Sequence, residues 1–341
     1  MDYRIFDNNY QHRLYLLDDQ EVQFRDREAT VPASVAYRMS RYNEAEFVIE
    51  DKRVPFNRDS WGTEKRLIWK CNVSAANGFG MVAENTIKEL LAQGVRVLNP
   101  GGVSGNWISG GEFVDHSVHQ SFSQRIEPDC LEIQHCQPPA IKNSIVERIW
   151  CYTMFETDHT PKSWIKRLNE VEHVLVPSSW LVESWQEQGL KRPISVYGHG
   201  IDPAVYYPLE RPDRETYTFL HYGQLSIRKG TDLVMEAFRQ EFKETEPVRL
   251  ILKNTYPLFP VPLHAPNVEY LHATYSKDQM RELLFRSDCL VYPHRGEGFG
   301  LSGLEAMATA LPVIVTNWSG TVDYSDPADT LLLDYTMQRS K

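Results

Sequence analysis

The chain has 341 residues, 42% of them hydrophobic and 24% charged, with 19 Gly and 20 Pro. That is enough chain for two ordinary domains, and the composition excludes a low-complexity or collagen-like protein. Lys and Arg number 36 against 46 Asp and Glu, and the resulting formal charge of −10 has the wrong sign for gripping a phosphate backbone, which disfavours bulk nucleic-acid binding.

No run approaches the roughly 18 apolar residues that span a bilayer. The opening residues from Met1 to Asp7 lack a signal peptide's apolar core, so a cytoplasmic protein without a transmembrane segment is expected. The five cysteines, Cys71, Cys130, Cys136, Cys151 and Cys289, are scattered without a C-x-x-C pair and read as reduced core thiols.

Residues 1–66 are polar and mixed in charge, with alternating stretches at 13–17 and 46–50 that predict hairpin or edge strands. They form an extension without assignable chemistry. From Leu67 the texture changes: 67–69 reads as a strand, 77–80 (Asn-Gly-Phe-Gly) as a tight turn, and Val82, Ile87, Leu90 and Leu91 recur at helical spacing up to Gly94. With 95–98 as the next strand, this is the opening of a parallel doubly wound sheet. Strands follow at 131–133, 149–152, 174–177 and 194–197, with helices over 161–168 and 180–188, the latter ending at Gly189. After the polar linker 210–215 a second alternation begins. It has strands at 218–223, 248–252, 268–271, 289–292 and 313–315 and helices over 232–242, 277–285 and 301–308. Two such alternations predict an α/β protein of two Rossmann-like domains facing across a cleft.

The most informative segment is 296–308. Glycines 296, 298 and 300 lie between a strand end and a helix that starts near Leu301, so backbone N–H groups and the positive helix end converge on one point, which suits an anion such as a diphosphate. Glu297 and Glu305 flank it. Carboxylates accept hydrogen bonds from hydroxyls and suit vicinal diols, so a diphosphate with a diol on each side, a sugar nucleotide, is the ligand this pattern fits.

The whole segment resembles the signature of the retaining glycosyltransferases of family 4 (glycosyl transferases group 1). The resemblance implies that Glu297 contacts the donor sugar, Glu305 the ribose, and the amides of Gly298, Phe299, Gly300 and Leu301 the phosphates. Gly223 followed by Ser226-Ile227-Arg228-Lys229-Gly230 resembles the family's motif after the first strand of the second domain, which implies that Lys229 binds the diphosphate. Gln224 stands where the family usually carries Arg, leaving Arg228 as the substitute. The segments 288–293 and 311–316 also match, with Ala310 where glycine is commoner, as do 198–202 and Tyr207-Pro208 before the linker.

The resemblance further implies the GT-B fold, with domain limits at 1–66 (extension), 67–208 (acceptor domain) and 209–341 (nucleotide-sugar donor domain). Against the family pattern the donor domain is expected to be shortened, without its final helices, either because the chain is truncated or because its second domain is minimal and completed by the extension or a partner. On the acceptor side, Gly78 and Gly80 fall where the family's glycine loop approaches the donor phosphate. His135, after the strand 131–133, falls where many members place a histidine near the reacting carbon. A lone strand-end histidine can equally be a structural residue. Glu156, just past a strand, either faces the cleft or caps the helix after Pro161. His116 and His119 have no third ligand placed to complete a zinc site, so neither a metal nor a cofactor beyond the co-substrate is expected. The function expected is transfer of a hexose-type sugar, with retention, from a nucleotide-diphosphate sugar to a glycan, lipid-linked or small-molecule acceptor. The alternatives are an epimerase or hydrolase of the same fold, or a non-catalytic nucleotide-sugar-binding subunit.

Overall fold

The computed structural model describes residues 66–71, 78–99, 118, 121, 130–144, 146–255 and 265–338, together with the backbone course of five strands before them. Those five are β1 (Asp2–Asp7), β2 (Leu14–Leu17), β3 (Gln20–Gln23), β4 (Glu28–Pro32) and β5 (Phe47–Ile49). They form an antiparallel sheet of order β4-β1-β5 and a β2-β3 hairpin.

The first domain sheet is built from β6 (Arg66–Lys70), β7 (Arg96–Leu98), β8 (Leu131–His135), β9 (Ile149–Tyr152), β10 (His173–Val176) and β11 (Ile194–Val196). Its order is β11-β10-β9-β8-β6-β7 and every pair is parallel. Helix α1 (Gly78–Ala92) covers one face through Val82, Ala83 and Ile87, packed against Trp69, Ile133 and Tyr152. Helices α2 (Lys162–Leu168) and α3 (Ser179–Glu187) cover the other through Ile165, Leu168, Leu181 and Trp185. Burial on both faces explains why these strands read as apolar runs rather than strict alternations.

The second sheet has β12 (Tyr217–Tyr222), β13 (Val248–Asn254), β14 (Val268–His272), β15 (Cys289–Tyr292), β16 (Val313–Thr316) and β17 (Leu331–Leu333). It is also all parallel, in the order β14-β13-β12-β15-β16-β17. Helix α4 (Thr231–Glu241) buries Val234, Met235 and Phe238 on one face. Helices α5 (Lys277–Phe285) and α6 (Leu301–Ala308) bury Leu283, Leu284 and Ala306 on the other. Ser276 and Gln279 form a reciprocal capping box that starts α5. Arg211, in the linker, bonds the carbonyls of Ser287, Thr309 and Ala310 and so ties the linker to the second sheet.

One local expectation is corrected. Residues 77–80 were expected as a tight turn, but α1 already begins at Gly78, and neither Gly78 nor Gly80 has a positive φ. Gly78 lies in the first turn of α1, where a Cβ would stand at ordinary contact distance, 3.5 Å, from Leu301 Cδ1 of the facing domain.

Candidate functional site

In each sheet the strand order reverses once, between β6 and β8 in the first and between β12 and β15 in the second. Crevices outside the carboxyl ends of such strands are where open α/β sheets bind ligands. The segments following β12 and β15 carry Arg228, Lys229 and the glycines 296, 298 and 300. His135 ends β8.

Glu297 lies at the centre of the second-domain crevice. One of its oxygens, Oε1, is 2.7 Å from both Arg228 Nη1 and Lys229 Nζ. Lys229 also donates to Tyr292 Oη at 2.7 Å, and Arg228 to the Gly296 carbonyl at 2.8 Å. Burial pushes the Glu297 carboxyl up, but the adjacent Lys229 and Arg228 charges outweigh it and hold it below the usual carboxylate range. Two cations share this one carboxylate oxygen, and the Glu156 carboxyl also lies within reach of both. Gly300, at φ 90, turns the chain into α6; of its first-turn N–H groups, that of Gly303 donates to the Gly300 carbonyl at 3.1 Å, and those of Leu301 and Ser302 have no acceptor within the helix. Gly223, at φ 126, faces α6 across Ser302.

Glu305, two turns along α6, is 6% exposed and accepts a 2.8 Å hydrogen bond from Tyr222 Oη. Burial pushes its pKa up to about 7, against the opposing hydrogen bonds of Tyr222 and Tyr206 and the charges of Lys253 and Lys277. A small cavity beside it is lined by Met81, Asn85, Asp202, Tyr206, Lys277 and Leu301, so α1 of the first domain closes over it.

The first domain presents an aromatic and imidazole wall. His135 is 3% exposed, 4.1 Å from the Phe79 ring and 4.7 Å from Tyr152. His199 packs 4.7 Å from Phe299 of the glycine loop. Among the described residues neither imidazole has a hydrogen-bond partner, nor do Trp69 Nε1 and Thr153 Oγ1. Burial holds both histidines neutral, His199 with its pKa down to about 3 and His135 well below the ordinary value, the latter also through His199. Buried unpaired polar groups are costly, and four side chains of this kind lie toward the carboxyl end of the first sheet, Trp69 among them within the core that packs on α1.

The two domains meet in this structure. Ser178 Oγ donates to the Gly298 carbonyl at 2.9 Å, and Ser179 donates through N–H and Oγ to the Asp323 carboxylate. Trp180 packs edge-on against Trp318 at 5.1 Å. Glu156 lies on the cleft side, within reach of the Arg228, Glu297 and Lys229 charges, with burial raising its carboxyl. It does not cap α2, whose N-cap Pro161 has no side-chain hydrogen bond. A Cβ on Gly296 would stand 1.9 Å from the Glu156 carbonyl oxygen. Gly296→Ala is therefore expected to hold the domains apart while leaving each folded, seen as a larger radius of gyration by X-ray scattering with an unchanged far-ultraviolet dichroism spectrum.

The structure thus brings together Glu297, Arg228, Lys229, Gly223, Gly298 to Leu301, Glu305, Gly78, His135 and Glu156. Gly80 is buried within α1. Phe79, Tyr152, Thr153, His199, Tyr206, Tyr222 and Lys253 escaped the sequence reading. Only His199, inside the glycine pair of 198–200, carried a local signal. His116 and His119 lie outside the described residues. Among those described, no group of three or more His, Cys, Asp or Glu side chains could hold a metal, and no helix is long and apolar enough to cross a membrane.

Residues 216–336 match the model of the Glycosyl transferases group 1 family. Over 167 residues the chain is 30% identical to a protein of Sulfolobus islandicus filamentous virus provisionally named glycosyltransferase 45, covering 45% of this chain and 44% of that one. Over 196 residues it is 23% identical to protein 356 of Sulfolobus islandicus rod-shaped virus 1, covering 52% and 54%. The chain therefore spans about half the length of the curated relatives it matches. Among solved structures, WaaG, a glycosyltransferase of lipopolysaccharide biosynthesis, superposes with a TM-score of 0.58 at 14% identity, covering 80% of this chain and 87% of that one. HepE of Anabaena, solved with UDP and glucose, gives 0.54 at 14% identity, covering 80% and 86%. The two parallel sheets and their helices have the GT-B architecture of these structures.

Proposed function

We propose, for a chain whose residues 216–336 match the model of the Glycosyl transferases group 1 family, the transfer of a hexose-type sugar from a nucleoside-diphosphate donor to an acceptor hydroxyl with retention of configuration. The observation that carries this reading is the placement of Glu297 and Glu305 on either side of a cationic crevice at the second sheet's switch point, facing the unpartnered His135 and His199.

In this reading the diphosphate replaces Glu297 as partner of Lys229 and Arg228 and receives the N–H groups at the start of α6. Glu305 accepts the ribose hydroxyls, and the freed Glu297 orients the sugar. The acceptor oxygen bonds to the anomeric carbon as the bond from that carbon to the phosphate oxygen breaks, and the acceptor's hydroxyl proton passes to that departing phosphate oxygen. The departing diphosphate's charge is met by Lys229, Arg228 and the helix terminus. His135 and His199, both neutral, offer hydrogen bonds to hydroxyls rather than a charge. The first domain supplies the acceptor side, where an open groove of about 410 Å³ lined by Asp158, Trp180, Glu183 and Glu187 offers an aromatic face and carboxylates suited to a polyol. Domain closure excludes water that would otherwise hydrolyse the donor, so Gly296→Ala should also lower turnover by about 10²-fold through misplacement of the two halves.

The test is a panel of UDP-, GDP- and ADP-hexoses, scored by thermal shift and then by mass spectrometry of products with glycan and lipid-linked acceptors, with and without EDTA. The expected result is one stabilising donor whose sugar appears on an acceptor at a rate EDTA does not change. An altered sugar with no acceptor, or binding without turnover, would replace transfer by epimerisation or by a non-catalytic binding role.

A further inference from the structure

Helix α3 begins at Ser179 with Ser178 as its N-cap, in the extended conformation usual for that position. A serine there ordinarily offers its hydroxyl oxygen to an N–H of its own helix, but Ser178 makes no such bond. Its buried side chain instead donates across the domain seam to the Gly298 carbonyl at 2.9 Å. Capping passes to the other domain: the Asp323 carboxylate accepts the Ser179 N–H at 2.7 Å and the Ser179 hydroxyl at 2.6 Å, which sets a negative charge at the positive helix end. The serine that would cap α3 is thus turned onto the glycine loop, and Asp323 caps in its place. Both contacts exist only with the domains docked.

Both also lead to the same loop. Asp323 ends a short 3-10 helix, Ser319–Asp323. At its other end Ser319 Oγ accepts the Glu297 N–H at 3.1 Å, and the Gly320 N–H donates to the Glu297 carbonyl at 3.0 Å. The peptides on either side of Glu297 are therefore held by the second domain itself. The next peptide is held from the first domain, through Ser178 on the Gly298 carbonyl. Packing is close here, since a Cβ on Gly298 would stand 2.8 Å from Met154 Cβ of the first domain. A trans peptide is planar with its carbonyl and N–H on opposite sides, so fixing the Gly298 carbonyl fixes the direction of the Phe299 N–H.

We propose that Ser178 and Asp323 are positioning residues that complete the glycine loop for the leaving diphosphate only when the two domains are docked. With the domains apart, the loop keeps its anchors at Glu297, but the peptide between Gly298 and Phe299 is free to turn and the diphosphate meets an incomplete set of amides. Docking aims the Phe299 N–H at the charge that develops as the donor's bond breaks, and so confines that step to the state in which the acceptor side is in place and water is excluded. The proposal rests on the reading of the glycine loop as the diphosphate site and adds to it two residues outside the loop that set when it works.

Steady-state kinetics and X-ray scattering on variants of the whole chain test it, using the donor identified by the panel. Ser178→Ala and Asp323→Ala should each lower kcat about tenfold, the range of a lost hydrogen bond. The donor's KM should not rise, because α1 closes over Glu305 in the docked arrangement and the donor enters before docking. Asp323→Asn keeps both contacts with Ser179, its amide oxygen accepting the N–H and its amino group donating to the hydroxyl, and should restore turnover to within about threefold of the wild type. Without ligand, Asp323→Ala should show a larger radius of gyration than the wild type at an unchanged far-ultraviolet dichroism spectrum. Unchanged turnover in both alanine variants, a loss expressed as a raised KM, or an asparagine variant as impaired as the alanine one would overturn the proposal while leaving the glycosyltransferase reading standing. A wild type that transfers no sugar from any donor of the panel would overturn both.

Discussion

Lys229→Met is expected to lower sugar transfer by about 10²- to 10³-fold, with the donor's KM changed only a fewfold, because the lost charge matters most where charge develops. Lys229 Nζ sits between Glu297 Oε1 and Tyr292 Oη, at 2.7 Å from each, so its position is fixed before a ligand arrives. The methionine stem keeps the packing over Tyr292 but removes the ammonium. Arg228 then remains the sole close cation on Glu297, and the leaving diphosphate loses one of its two cationic partners. Steady-state kinetics on the donor identified by the panel decide the matter. A turnover within threefold of the wild type would show that the leaving group's charge is met elsewhere.

Glu305→Gln should act on stability and on binding in opposite senses, and both effects should depend on pH. Burial raises the native Glu305 pKa from 4.5 to about 7. The native state then holds this proton more tightly than the unfolded chain, so its carboxylate costs stability as pH rises from the unfolded value toward 7. Over that interval of 7 − 4.5 = 2.5 units the cost reaches about 3 kcal/mol, fully present above pH 7 and absent below the unfolded value. The glutamine variant should therefore be more stable than the wild type at pH 8, by up to about 3 kcal/mol in urea unfolding, and close to it at pH 5. Donor affinity should move the other way. The amide has one acceptor oxygen where the carboxylate has two, and about 10- to 100-fold in Kd is expected to be lost at pH 8. Wild-type affinity should itself decline as pH falls through 7. A variant equal to the wild type in both properties at pH 8 would remove Glu305 from the site.

The strands and helices of both domains were readable because their cause is local. Apolar residues at helical spacing, the strand runs, and the glycines at 94, 189, 223, 230 and 300, all at positive φ, punctuate the chain where it turns. The misreading at Asn77 to Gly80 has the same root seen from the other side. A glycine in the first turn of a helix looks in sequence like one kept for a tight turn. Glu156 was undecided between a cleft residue and a cap because that choice depends on what lies opposite, and Gly296 lies 140 positions away in the chain.

By itself, the sequence determined the α/β alternation, the glycine loop opening α6 and the basic pair before α4, since each is written within a dozen residues. Tertiary structure alone decided that Lys229 and Arg228 share one oxygen of Glu297, and that His135 and His199 meet at one wall without partners. It alone placed a buried Lys253 beside the Tyr275 ring. The physical reason is that charge pairing and desolvation act through space. Residues that set each other's protonation here come from distant parts of the chain and, where Glu156 meets Arg228 and Glu297, from different domains.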